Sequence, residues 1–154
     1  MIIVGYQGIG KSTLAGTNNC IDLESGNFWV DGKRADDWYK PYCQIANHLS
    51  EQGYTVFTSS HEVVRKELEK SKEKVFVVCP SINIQDEWIR KLKARYESTG
   101  LDKDFKALAN AVDRYRENIA ELLNGNLKCY KITSMDYNLK QIVDVLEQMQ
   151  GVLI

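Results

Sequence analysis

Residues 1–12 read MIIVGYQGIGKS, and this stretch constrains the chain more than any other. Four residues lie between Gly5 and Gly10, and Gly10 is followed by Lys11 and Ser12. This is the spacing of a phosphate-binding loop. Glycines at 5, 8 and 10 let the backbone turn tightly where a Cβ would clash. The turn aims successive N–H groups at one point and makes an anion nest. Lys11 is placed to reach outer phosphates, and the Ser12 hydroxyl to ligate Mg²⁺. Residues 1–4 are apolar and β-branched, as a buried strand requires, and a helix is expected from Ser12 onward. Its positive end would add to the nest.

The remaining pattern alternates strand and helix. Strands are expected at residues 20–23, 54–58, 75–79 and 127–132. Helices are expected at 39–52, 62–71, 84–98, 104–123 and 138–150, with polar turns at 17–19 and 99–103. Within them, Trp38, Tyr42, Ile45, Ala46 and Leu49 recur at helical spacing, as do Phe105, Leu108, Ala109, Val112, Ile119, Leu122 and Leu123. Unbroken apolar runs such as VFVVC, stopped by Pro80, suit a parallel sheet covered on both faces. The chain therefore reads as one α/β domain over 1–154, a parallel five-stranded sheet between helix layers. The segment 27–37 is expected to be an irregular loop, the kind that is usually functional.

Composition narrows the function. With 44% apolar residues, 154 residues bury an adequate core. A net charge of −1 does not favour nucleic acid as a general partner, so any such contact must be local. No apolar run reaches membrane-spanning length, and the N-terminus lacks the basic start of a signal peptide. Cys20, Cys43, Cys79 and Cys129 show no CxxC spacing, so reduced thiols in a cytoplasmic protein are expected rather than zinc ligands.

The order of elements, with the loop on the first strand and a basic helix after the fourth, resembles the P-loop nucleoside and nucleotide kinases of the adenylate-kinase-like group. The segments FTSSHEVVRKEL and VCPSINIQDEWIRKLKAR are also similar to small phage-type P-loop kinases. The resemblance implies a P-loop NTPase three-layer fold with sheet order 2-3-1-4-5. It implies ATP and Mg²⁺ as cofactors, with Gly5, Gly8, Ile9, Gly10, Lys11, Ser12 and Thr13 on the donor phosphates and Ser12 on the metal. An acceptor loop is implied at about 24–38 and a lid-like basic helix at about 84–103. The adenine base is expected beside residues 133–138.

Phosphoryl transfer needs positioning and charge neutralisation. Lys11, Asp22, Arg90 and Arg95 are the expected catalytic side chains. Asp22, at the carboxyl end of a strand, can orient an acceptor hydroxyl and take its proton, or can be a solvated strand end. Glu24, Trp29, Arg34 and Arg65 join Asp22 as expected acceptor contacts. Among Arg90, Lys91, Lys93 and Arg95, a lid role competes with an ordinary solvated face, because Asp86 and Glu87 precede Arg90 and Lys91 by four residues. Arg114 and Arg116 are second candidates, and His61 reads as a turn residue. One departure from the family stands out: the third strand runs into Ser59, Ser60 and His61, with Glu62 one place beyond and no clean acidic metal partner, so that Asp22, Glu62 or Ser12 with waters would have to take that part.

The expected activity is ATP-dependent phosphotransfer to a nucleoside, nucleotide or related small acceptor. The alternatives are a regulatory nucleotide-binding module and a kinase of a hydroxymethylated base in DNA. No guanine-reading Asn-Lys-x-Asp sequence is present.

Overall fold

A computed structural model of the chain describes residues 1–17 and 19–149. Five strands form one sheet: β1 (Ile2–Gly5), β2 (Cys20–Asp22), β3 (Thr55–Thr58), β4 (Val75–Pro80) and β5 (Lys128–Ile132). The order is β2-β3-β1-β4-β5 and every pairing is parallel. Among the described residues six α-helices flank the sheet: α1 (Lys11–Leu14), α2 (Tyr39–Glu51), α3 (Glu62–Leu68), α4 (Gln85–Thr99), α5 (Asp102–Asn124) and, after β5, α6 (Leu139–Gln148).

Parallel pairing follows from burial. Side chains alternate faces along a strand. Ile2, Ile3 and Val4 on β1 are all fully buried, and so are Val56 and Phe57 on β3, so both faces of the central sheet are covered. The edge strands β2 and β5 are more open. Cys20, Cys43 and Cys79 are buried and Cys129 is half-buried. Among the described residues, no helix is long and apolar enough to cross a membrane.

Several local expectations change. α1 is one turn long, because Ala15 leaves helical geometry (φ −59°, ψ 140°) and Gly16 takes φ 81°. A single turn carries little macrodipole, so the anion nest rests on the loop amides rather than on a helix end. The segment 27–37 is more ordered than expected. A 3₁₀ turn spans Ser25–Phe28, and Val30 and Lys33 exchange backbone hydrogen bonds of 2.7 and 3.0 Å. Between them Asp31 and Gly32 take φ 52° and 77°, a primed hairpin turn that an Asp-Gly pair favours. Pro80 ends β4 from inside the ladder, opposite Ile132.

On α2, Ile45 faces outward, and Cys43 and Ser50 are buried in addition to Tyr42 and Ala46. α5 starts at Asp102, two residues before the expected start. Its buried stripe is Asp104, Ala111, Tyr115, Ile119 and Leu122, while Phe105 and Val112 are exposed. The stripe keeps helical spacing through a kink at Arg114 (φ −134°, ψ 21°), and Phe105 and Val112 lie on the solvent side of it. α3 stops at Leu68, three residues early, and the expected end of the last helix at Gln150 lies outside the described residues, as does Asn18 in the turn at 17–19.

Tyr42 ties the exits of β2 and β3 together. Its hydroxyl donates to Leu23 O at 2.6 Å and accepts from Ser59 N at 2.9 Å. Tyr42→Phe leaves both backbone groups without this partner. A loss of about 1–2 kcal/mol is expected from urea unfolding, and an unchanged midpoint would mean that water replaces the hydroxyl at no cost.

Candidate functional site

The loop leaving β1 is held by side chains from outside it. Gly8 and Gly10 take φ 89° and 103°, conformations that L side chains rarely adopt. A Cβ at Gly5 would meet Ile9 Cδ1 at 2.6 Å, so any larger residue there requires the Ile9 side chain to shift. Trp88 Nε1, from α4, donates to Gln7 O at 3.0 Å. Tyr137 OH, from the segment before α6, donates to Ile9 O at 2.8 Å. Lys91 Nζ in turn donates to Tyr137 OH at 2.6 Å and lies over the Trp88 and Tyr137 rings.

With these carbonyls occupied, the amides turn the other way. Among the described residues, no hydrogen bond engages the N–H groups of Gly8, Ile9, Gly10, Lys11 or Ser12. Five unpartnered donors around one lysine make an anion site in the sense of a backbone nest.

A cavity of about 160 Å³ opens beside them, lined by Lys11, Ser12, Asp22, Glu24, Arg95 and Lys103, among others. Desolvation pushes Lys11 below the usual lysine range, against the pull of Asp22 and Glu24; Arg95 and Lys103 add to the lowering. Burial raises the Asp22 carboxyl, and Lys11 opposes that shift. Arg95 is held from behind: Asp104, only 4% exposed, accepts from its Nε at 3.1 Å, and Thr99 Oγ1 donates to the other carboxylate oxygen. Since Nε is taken by Asp104, the terminal nitrogens of Arg95 remain for a ligand.

A second cleft, about 520 Å³, lies on the far side of the loop. Gly10, Thr13, Leu14, Lys91, Met135 and Tyr137 are among its walls. It adjoins the 133–138 segment and is more apolar, which suits a planar base.

Of the expected site residues, the structure gathers Lys11, Ser12, Asp22, Glu24 and Arg95 around one cavity. Gly8, Ile9 and Gly10 lie in the nest, Gly5 ends β1 in the sheet opposite Val78, and Thr13 lines the adjoining cleft. Ile9 is 1% exposed, so only its backbone faces a ligand. Arg90 is not brought in: its side chain points to solvent, 73% exposed, 3.9 Å from Glu87. Lys93 is also exposed. Arg34 stacks between Trp29 and Trp38, 4.7 and 4.1 Å from their ring centroids, which occupies Trp29 and Arg34 with each other. Arg65 donates to Ser60 O and pairs with Glu121. Arg114 pairs with Glu117 and Arg116 bonds Gln85, both on the surface. His61 packs edge-to-face on Trp38.

Sequence reasoning does not single out Lys103, which falls in the expected turn at 99–103, or Asp104, which falls at the expected start of the long helix. Gly100, at φ 63°, was the available signal: it ends α4 in the left-handed conformation and starts α5 early enough to aim both residues back at the loop.

Among the described residues no group of three or more His, Cys, Asp or Glu is arranged to hold a metal. The donors near the nest are the Ser12 hydroxyl and the Asp22 and Glu24 carboxylates, hard oxygens of the kind Mg²⁺ takes with water completing its shell. No protein-family model matches the chain, and no curated protein matches it in sequence.

Gly8 also sets how closely α4 approaches the loop. A Cβ there would lie 2.8 Å from Leu92 Cδ2 and 3.2 Å from Trp88 Nε1. Gly8→Ala is expected to cost about 1–3 kcal/mol through backbone strain and this clash. Thermal and urea unfolding check it; an unshifted midpoint would mean that α4 is free to move off the loop.

Proposed function

We propose that this chain is a P-loop phosphotransferase that moves the terminal phosphoryl group of ATP onto a nucleoside, nucleotide or related small hydroxyl acceptor. The observation that carries the reading is the set of five unpartnered amides around Lys11, opening into a cavity shared with Asp22 and Arg95. The apolar cleft beside Tyr137 suits the adenine ring.

The roles follow from charge. The nest and Lys11 hold the donor phosphates. The acceptor oxygen attacks the terminal phosphorus, the bond to the diphosphate leaving group breaks, and Asp22 takes the acceptor proton. Arg95, oriented by Asp104, and Lys103 neutralise the phosphoryl oxygens as charge builds there. Ser12 with Asp22 or Glu24 would hold Mg²⁺, which would supply positive charge against the donor phosphates.

A regulatory nucleotide-binding module is the second reading. It is favoured by the exit of β3, where Ser59, Ser60 and His61 stand in place of an acidic metal partner. Phosphorus NMR of ATP and Mg²⁺ with nucleosides, nucleoside monophosphates and hydroxymethyluracil-containing DNA separates the readings. A new phosphoester signal is expected, and ATP binding without transfer to any acceptor would support the module.

Lys11→Ala is expected to weaken ATP binding about 10–100-fold, the loss of charge-assisted bonds. Asp22→Asn is expected to keep ATP affinity while lowering kcat about 10²–10⁴-fold. Because the Asp22 pKa is raised above 3.8, activity should fall with acidification at a pH above that value, as the carboxyl takes up the proton it must be free to accept. The Asp22→Asn enzyme should lack this limb. Full turnover in that variant would remove Asp22 from the chemistry.

The two arginines of α4 should behave differently. Arg95→Ala is expected to lower kcat about 10²–10³-fold. Arg90→Ala is expected to change it by no more than about twofold, as for an exposed ion pair. Equal effects in steady-state assays would mean that α4 acts only as a scaffold.

A further inference from the structure

The kink in α5 borders a third pocket that phosphate binding does not use. Residues 110 and 118 are eight apart, about 12 Å along a straight helix. Yet Asn118 Nδ2 donates to Asn110 Oδ1 at 2.6 Å. Two asparagine side chains do not span 12 Å, so this bond exists only because the helix bends at Arg114 between them. Gln7 Nε2, from the phosphate loop, donates to the same Asn110 oxygen at 3.2 Å and to Ala107 O at 3.0 Å. Three carboxamides thus meet on the concave side of the bend.

They line a pocket of about 280 Å³, together with Tyr6, Ser60, His61, Glu62, Arg65 and Glu121, among others. It shares Gln7 with the cavity at Lys11 and Asp22. Among the described residues no hydrogen bond engages Gln7 Oε1 or Asn110 Nδ2, which leaves an acceptor and a donor for a ligand.

The lining argues against a phosphate. Its one guanidinium, Arg65, has a side chain only 12% exposed, donates to Ser60 O at 3.0 Å and lies 3.7 Å from Glu121. Glu62 and Glu121 would repel an anion. Carboxamides carrying both a donor and an acceptor match the edge of a nucleobase. The volume is at the lower end for ligand pockets, about 300–1,000 Å³, and suits a base rather than a whole nucleotide.

We propose that this pocket binds an uncharged nucleobase, read by Gln7, Asn110 and Asn118. As the acceptor's base subsite it rests on the phosphotransferase reading; as a base-binding pocket it does not.

The test uses the full chain without ATP. Nitrogen-labelled protein is titrated with the four deoxynucleosides, with a short single-stranded oligonucleotide, and with inorganic phosphate. The side-chain NH₂ signals of Gln7, Asn110 and Asn118 are followed. A nucleoside is expected to shift them, with affinity reduced about three- to tenfold in Asn110→Asp and Asn118→Leu. Shifts with the oligonucleotide alone would also support the pocket and identify its base as part of a strand. Lys11→Ala should bind the base as the parent does, which separates this pocket from the phosphate site. The proposal is overturned if phosphate gives the same shifts, if no base gives any, or if both folded variants keep the parent affinity. Those results, with ATP binding intact, would leave the phosphotransferase reading standing.

Discussion

The arrangement of the candidate site depends on two hydrogen bonds to the backbone of the glycine-rich loop after β1. Trp88 Nε1 caps Gln7 O and Tyr137 OH caps Ile9 O. A glycine-rich loop left alone samples many conformations, and a nest works only when its amides converge. Here the convergence is imposed from both sides, by α4 and by the segment leading into α6. Trp88 is fully buried and stacks on Tyr137 with ring centroids 5.9 Å apart, so the two caps also brace each other. The loop therefore inherits the rigidity of the core, and its amides are oriented before any anion arrives. Preorganised dipoles of this kind cost no reorganisation on binding.

The same caps change the meaning of the basic helix. A lid that opens freely would have to break the Trp88 bond and expose both Trp88 and Leu92, which is 2% exposed. Removing two such side chains from the core costs several kcal/mol, at about 1.5–3 kcal/mol each. The root of α4 is thus part of the core. Its outer end and the start of α5 carry the groups that face the cavity, and Arg95 is fixed there by Asp104. The short link at Gly100 and Leu101 keeps that hairpin tight.

Much of the sheet was legible because parallel strands buried on both faces appear as unbroken apolar runs. IIVG and VFVVC could hardly be anything else in a chain with this loop. The tight turn of the loop after β1 was legible for a similar reason: glycine spacing encodes backbone geometry directly, and Gly8 and Gly10 take positive φ. The cations were harder. Arg90, Lys91, Lys93 and Arg95 lie within two turns, and which of them face the loop depends on the rotation of α4, set by Trp88 and Leu92 packing under Gly8. Lys103 and Asp104 depend on where the hairpin turns, and the bend at Arg114 has no proline or glycine to announce it. The Asp31-Gly32 turn is the opposite case, a plain hairpin signal inside a segment that read as irregular.

The charges in the cavity show how donor and acceptor sites would communicate. Lys11, Arg95 and Lys103 face Asp22, Glu24 and Asp104 across it. Asp104 is committed to Arg95, while Lys11 holds the Asp22 carboxyl down against the rise caused by burial. In the proposed reaction, a donor phosphate takes up Lys11 and adds negative charge beside Asp22. Both changes act in one direction: they weaken the attraction that keeps Asp22 ionised and raise its affinity for a proton. The base that accepts the acceptor's proton would then gain basicity when the donor is in place, which couples the readiness of one site to the occupancy of the other through the charge of a single lysine.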